Sequence, residues 1–576
     1  MKNIKLKITL ALTSCMMFFA ISCDDFLDVP PTGQIGEPQL RTLDGLNAAL
    51  IAAYSQVNGR AQRMASPSNW VWGSIRGGDA NKGTDPGDFQ SINPIQRFEN
   101  DATIDIIREN WAGLYEGVSR ANMVLRLLND RDPEVTDAQA AHLAAQARFL
   151  RGHFYFQLAR NFNRVPYVDE TVDYQAGLEE VSNNQDMWPL IEADFQFAVD
   201  NLPPTQEQVG RVNSWAAKSY LAKVYMYQNK FQQAKQLFDD VIANGVTSNN
   251  LRYDLVEYYD DMFRGANNNH KESIWAYQSA AGTGSVNNAN PEFDLNFPYN
   301  TGPDGPGNCC GFFQPSFTFV NSFRTDANGL PLLDNSYNAP QNRVRNDFGI
   351  ESEAPFTPDD GPLDPRLDHT TGRRGIPYLD WMDHPGNAWI RNRANGGPYA
   401  PKKYVYTREE QGVFQDNSSW TPGYTAINFM IIRFADVLLM AAEAEVEVGS
   451  LEQARTYVNR VRQRAINSPL LRANGAPAAN YNIGLYNNPW TDQDFARRAV
   501  RFERKLELGM EGHRFYDLVR WGTDVDEINA YLAFDGAILQ AALGGTNFTP
   551  KYRLLPIPQD QIDLTGSDIL IQNPDF

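Results

Sequence analysis

Cysteine and histidine are scarce, with four and six in 576 residues. Four cysteines in a chain of this length exclude a disulfide-framework scaffold. No histidine sits in an H-E-x-x-H spacing, and no G-x-S-x-G or Walker loop occurs, so the sequence carries none of the common zinc-protease, serine-hydrolase or P-loop signatures. Basic charge is also short: 51 Lys and Arg against 70 Asp and Glu leave a net charge of −19. A nucleic-acid partner needs a basic face, so none is expected. The uncharged, mostly apolar run from Ile8 to Ile21 is too short to span a bilayer.

That run reads instead as an export leader, because Lys2, Lys5 and Lys7 precede it and Ser22-Cys23 ends it. A small residue before a cysteine resembles the cleavage box of bacterial lipoproteins, in which the Cys23 thiol is acylated and becomes the new amino terminus. Asp24 and Asp25 resemble the acidic signal that sends such lipoproteins to the cell surface, and they also fit a plain solvated tether. Asp28-Val29-Pro30-Pro31-Thr32-Gly33 suits an extended leash. The expected organisation is a leader over 1–22, a lipidated tether over 23–36 and a single body over 37–576. With Cys15 in the leader and Cys23 acylated, Cys309 and Cys310 remain. A bond between neighbours holds their Cα atoms about 3.8 Å apart, below the ordinary disulfide range, and both the bonded and the free form stay open.

Helical periodicity dominates the body. From Asp137 to Phe162, Leu143, Ala147, Leu150, Phe154 and Leu158 fall on one stripe. Further helices are expected over 104–129, 187–201, 215–229, 231–244, 428–448, 451–465 and 492–521. Two helix pairs repeat one another. Ala222 and Ala234 have the same spacing as Ala442 and Ala454; Phe238 matches Val458, Val241 matches Val461, and Asn229 matches Gly449 where a left-handed cap is expected. The predicted fold class is mainly α: a tetratricopeptide-like helical solenoid carrying a large, loop-rich, partly irregular insertion. Helical parts cover about 37–244 and 426–576. Between them, about 245–425, the composition turns to Asn, Gly, Pro and aromatics, the setting in which loops carry binding residues.

Two aromatic stretches have carbohydrate-binding chemistry: flat rings for the C–H faces of sugars, and planar polar groups for the hydroxyls. The first holds Trp70, Trp72, Arg76, Asp79 and Asn81 on a Gly-rich segment; Trp70 and Trp72 fit one face of a buried strand equally well. The second holds Tyr378, Trp381, Trp389 and Arg391, with His384, Tyr399 and Trp420 nearby; these also suit a plug in the solenoid's concave face. Cys309-Cys310-Gly311-Phe312-Phe313 is a third candidate, an apolar platform if the thiols are joined. The negative net charge disfavours polyuronates and sulfated glycans, so a neutral oligosaccharide is the expected ligand.

Catalysis is the competing class. Asp436 and Glu443 share a helical face but lie roughly 10.5 Å apart along it, beyond either glycosidase spacing. Glu503 and Glu507 are one turn apart, yet Arg501, Arg504 and Arg514 crowd them and favour structural ion pairs. Asp79-x-Asn81-x-Gly83-x-Asp85 resembles a calcium loop but lacks the downstream glutamate, so turn chemistry is preferred. No catalytic residue, metal or cofactor is expected.

The carboxy-terminal third carries specific motifs: Ile432-Arg433-Phe434-Ala435-Asp436-Val437-Leu438-Leu439, Arg501-Phe502-Glu503-Arg504-Lys505-Leu506-Glu507-Leu508, Glu511-Gly512-His513-Arg514-Phe515-Tyr516-Asp517-Leu518-Val519-Arg520-Trp521 and Leu555-Pro556-Ile557-Pro558. With the lipoprotein box and Phe26-Leu27-Asp28, they resemble the SusD/RagB family of Bacteroidetes nutrient-uptake lipoproteins. The resemblance implies a helical, tetratricopeptide-like protein, lipid-anchored on the extracellular face of the outer membrane. It implies oligosaccharide capture without turnover and delivery to a SusC-like TonB-dependent transporter. It assigns the motifs to the scaffold rather than to the sugar site.

Overall fold

The computed structural model describes residues 36–59, 63–174, 177–283, 295–307, 309–415 and 424–576. The leader, Cys23, the tether up to residue 35 and Trp420 lie outside them. Among the described residues, eleven helices of eight residues or more form the frame: α1 Leu43–Ser55, α2 Asp105–Asn129, α3 Asp137–Phe162, α4 Trp188–Asn201, α5 Ser214–Tyr227, α6 Phe231–Asn244, α7 Phe434–Val448, α8 Leu451–Asn467, α9 Gln493–Leu508, α10 Arg514–Trp521 and α11 Asp524–Ile538. Four strands have four residues or more: β1 Ala80–Gly83, β2 Ser273–Tyr277, β3 Phe312–Pro315 and β4 Phe429–Arg433. They form two antiparallel pairs, β1 with β3 and β2 with β4. None of the described helices is long and apolar enough to cross a membrane.

Local chemistry explains the hairpins. A capping box starts α3, where Thr136 accepts the Gln139 amide at 3.3 Å and Gln139 accepts the Thr136 amide at 3.0 Å. The expected stripe of α3 is buried, and Gly117 of α2 admits Phe154, whose ring would stand 2.4 Å from an added Cβ. In the repeated pairs α5/α6 and α7/α8, Ala222, Ala234, Ala442 and Ala454 are all buried where the helices pack. Asn229 takes the left-handed conformation, φ 56°. Gly449 does not: its φ is −129°. The turn closes instead through Glu445, whose carboxylate accepts the Ser450 amide at 2.7 Å and would lie 1.9 Å from a Cβ on Gly449. Glycine is needed there for space. α6 packs on α7, so the two repeats join across the long insertion.

Two expected helices have different bounds. Residues 429–433 are strand β4, because they pair with β2 before α7 begins at Phe434. The helix expected over 492–521 breaks into α9 and α10. An added Cβ on Gly509 would lie 2.3 Å from the Phe319 ring, and Met510 and Gly512 take φ of 68° and 78°.

The motif acids and arginines meet in the core. Arg433 bonds Glu507 at 2.7 Å, Glu272 at 2.9 Å and Glu511 at 2.8 Å; Arg366 bonds Glu503 at 2.6 Å, Glu507 at 3.0 Å and Asp364 at 2.7 Å. Arg462 pairs with Glu503 at 2.9 Å, Arg464 with Glu507, and Lys403 with Glu511 at 2.7 Å. Asp436 pairs with Lys223 at 3.0 Å and Arg504 at 2.8 Å, and Glu443 bonds Arg520 at 2.8 Å. Burial alone would raise Glu507, but Arg464, Arg433 and Arg366 together hold it well below its ordinary 4.5. Glu503 and Glu507 are fully buried in ion pairs, as expected, but their partners are Arg366, Arg433, Arg462 and Arg464 rather than the neighbouring Arg504, which pairs with Asp436 and Asp517, or Arg514, which pairs with Glu527.

Removing one partner strands the others in a low-dielectric core. Arg433→Met should therefore lower the unfolding free energy by about 3–5 kcal/mol in urea titrations. A depressed carboxylate contributes stability that is present above its unfolded pKa and lost as pH falls toward its folded one. The Arg433→Met penalty should accordingly shrink as pH is lowered from about 6 to about 3; a penalty constant over that range would refute the coupling.

Candidate functional site

The first tryptophan stretch is not a sugar platform. Residues 70–75 form a π-helical turn, and Trp70 and Trp72 are only 3% and 1% exposed. Trp70 packs edge-on to Phe312 and Phe313, and the Trp72 indole donates to the Met64 carbonyl at 2.7 Å. Gly73 explains the turn's position, since a Cβ there would lie 1.8 Å from the Gly512 carbonyl oxygen. Arg76 is buried over the Phe515 ring, 3.8 Å from its centre, and donates to the Tyr552 carbonyl. Asp79 accepts the Met510 amide at 3.2 Å, and burial pushes its carboxyl up to about 6 despite Arg514 nearby. Asn81 accepts from the Tyr531 hydroxyl at 2.7 Å and donates to the Gly396 carbonyl at 3.2 Å. All five expected contacts are core residues, and residues 80–83 form strand β1 where a turn was expected.

The second stretch divides. Tyr378 is fully buried and donates to the Pro401 carbonyl; Trp389 is 4% exposed, edge-on to Tyr378 at 5.6 Å and to His384 at 5.4 Å. Neither has a face for a sugar. Trp381 is half-buried against Tyr406, with centroids 5.9 Å apart, beside the exposed Met382. Arg391 is exposed.

Around Arg391 the fold assembles a surface cluster. Its guanidinium bridges Asp85, at 2.6 Å, and Asp88, and donates to the Thr84 hydroxyl at 3.0 Å. It also lies 5.5 Å from the centre of the half-buried Tyr299 ring, within cation–π range. The acidic loop is pinned from beneath. The Lys82 ammonium donates to the Asp85 and Asp88 carbonyls at 3.0 and 2.8 Å, and Asp85 accepts the Gly87 and Asp88 amides, each at 2.9 Å. Burial lowers Lys82 to about 8, with Asp88 and Asp85 opposing the fall. Tyr299 is set by its amide, which donates to the Trp389 carbonyl at 2.9 Å. Half-buried Phe89 packs edge-on to Phe312, and Cys309, next to buried Cys310, is half-buried in the turn that leads into β3. Sequence reasoning named Arg391 and the cysteines as candidates and Asp85 only within a calcium-loop pattern; it did not name Asp88, Phe89 or Tyr299. The readable signal was Asp85-Pro86-Gly87-Asp88-Phe89, two acids and a ring on a tight turn.

Fold and site together define a helical scaffold protein that presents a preformed polar and aromatic cluster on its loops. The family profile described as SusD family matches residues 271–576, and one described as starch-binding, associating with outer membrane, matches residues 50–226. The chain belongs to the SusD/RagB family. SusD-like protein P2 of Formosa agariphila is 27% identical over 521 residues, 88% of this chain and 89% of that protein. A SusD superfamily structure from Bacteroides vulgatus superposes with a TM-score of 0.68 at 20% identity, covering 93% of this chain and all of that one. Surface glycan-binding protein A from Bacteroides thetaiotaomicron, in complex with laminarihexaose, gives 0.62 at 21% identity, covering 92% and 99%.

If the buried rings are structural, Trp72→Ala should lower stability by about 3–5 kcal/mol, measured by denaturant unfolding. An unchanged midpoint would return Trp72 to the list of surface platforms.

Proposed function

We propose that this chain is a cell-surface, glycan-binding lipoprotein of the outer membrane, anchored through Cys23, that captures a neutral oligosaccharide at the Tyr299–Arg391 cluster. It then delivers the sugar to a SusC-like TonB-dependent transporter. The observation that carries the reading is the pairing of a half-buried tyrosine face with a guanidinium held between two carboxylates at the surface. A ring for the sugar's C–H face and fixed donors and acceptors for its hydroxyls then lie side by side. Family membership and the laminarihexaose complex of a protein with the same fold support it, as does the starch-binding, outer-membrane description of the second profile.

Binding without turnover is favoured over hydrolysis because Glu503 and Glu507, the pair one turn apart that the sequence offered as a catalytic candidate, are fully buried and paired with arginines. A general acid has to reach the glycosidic oxygen, and these do not.

The test is calorimetry of the lipid-free chain with maltohexaose, laminarihexaose, cellohexaose and a xyloglucan oligosaccharide, beside a product assay on the same sugars. Binding of at least one sugar without product is expected. Tyr299→Ala and Arg391→Ala should each weaken it about tenfold or more with little change in melting temperature. Product release, or affinities untouched by both substitutions, would overturn the proposal.

A further inference from the structure

We infer that Cys309 and Cys310 are joined and that their disulfide is itself a contact surface of the site, an apolar platform for the C–H face of a sugar ring beside Tyr299. The inference rests on the glycan-capture reading and adds a specific element to it.

The turn that carries the disulfide is wedged between the segments that build the cluster. Immediately after it, the Gly311 carbonyl accepts the amide of Thr84, which leads into the Asp85–Asp88 loop, at 2.6 Å. The Phe312 amide donates to the Leu295 carbonyl at 3.2 Å, on the segment that leads to Tyr299. Phe312 then pairs with Gly83 in the β1/β3 ladder. Gly311, at φ 77°, lies so close that an added Cβ would stand 3.1 Å from the Tyr299 Cβ and 3.7 Å from the Arg391 Cβ. Cys310 is buried and Cys309 half-buried, so the bridge is seated in the core with one edge at the surface.

Stability gives little reason for such a bridge. In the chain-entropy account a disulfide stabilises by closing a loop in the unfolded chain, and a bond between neighbours closes almost none. Its chemistry fits contact with a sugar better: sulfur is soft, polarizable and weakly hydrated, and suits aliphatic C–H surface, whereas two separate thiols would lack the fixed, joined surface. An exported chain also meets the oxidising conditions in which the bond persists.

The decisive experiment uses the lipid-free chain and whichever of maltohexaose, laminarihexaose, cellohexaose or the xyloglucan oligosaccharide binds it most tightly. Cys309→Ser/Cys310→Ser should melt within about 3 °C of wild type yet bind about fivefold more weakly. Wild type treated with a water-soluble phosphine is the second arm. The phosphine gives two electrons to the disulfide and becomes its oxide with oxygen from water, whose two protons complete the thiols. This reduced protein should show the same loss even if the double variant does not fold. In protein labelled with ¹³C-cysteine, the Cys309 Cβ resonance should shift on sugar addition, a response that a purely structural bridge would not give. Unchanged affinity in the variant or reduced protein, with an unmoved Cys309 resonance, overturns the platform. If Tyr299→Ala and Arg391→Ala weaken binding while the cysteine changes do not, the platform alone fails. If neither set matters, or no sugar in the panel binds, the capture reading fails and the platform with it.

Discussion

The arrangement depends on one constraint, that the charges buried with Arg433 must all be paired. A lone ion in that core would cost several kcal/mol, so the fold is held to the geometry that brings Glu272, Glu507 and Glu511 onto one guanidinium. Those acids come from the turn just before β2, from α9 and from the turn after α9. Satisfying Arg433 therefore fixes the carboxy-terminal helices against a strand of the insertion. Arg366 extends the network through Asp364, Glu503 and Glu507 into the loop segment, and Arg462 and Arg464 bring in α8.

From there the constraint runs outward to the surface. Asp368, two residues beyond Arg366, holds Arg373 through bonds of 2.6 and 2.8 Å and accepts from the Tyr481 hydroxyl at 2.7 Å. Residues 371–372 pair with 400–401, Tyr378 donates to the Pro401 carbonyl, and Trp389 packs on Tyr378. Trp389 in turn accepts the Tyr299 amide. The buried tryptophan and tyrosine expected as sugar contacts are thus part of what places half-buried Tyr299. Large aromatic rings contribute most when buried, which is why ring density along a chain marks a core as readily as a binding face.

What was legible in the sequence was whatever repeats or is periodic. The alanine spacing of α5/α6 and α7/α8 disclosed the hairpins because small residues are required wherever two helices cross closely, and the motif arginines and acids disclosed a scaffold. Gly449 shows the limit: a glycine was correctly placed at a turn, but for space beside Glu445 rather than for a left-handed cap. The candidate site was less legible because its parts are distant in the chain. Nothing near Asp85 or Asp88 announces Arg391, about three hundred positions on, since only the tertiary fold brings the two segments together. Trp70 and Trp72 misled for the converse reason: the polar residues beside them are local in sequence, but their partners Met510, Tyr531 and Tyr552 are not.

The net charge of −19 bears on the site through this geometry. Asp85 and Asp88 are not free anions, because Arg391 bridges them and Lys82 lies beneath. The cluster therefore offers a nearly balanced set of fixed donors and acceptors within an acidic surface, which suits many weak, directional bonds to uncharged hydroxyls. Holding that set rigid has a further consequence. Ordering side chains on association costs roughly 0.5–1.5 kcal/mol for each flexible group, and here much of that ordering is already imposed by the fold. A ligand that gives little energy per contact, as a hydrated neutral sugar does, gains most from such a site.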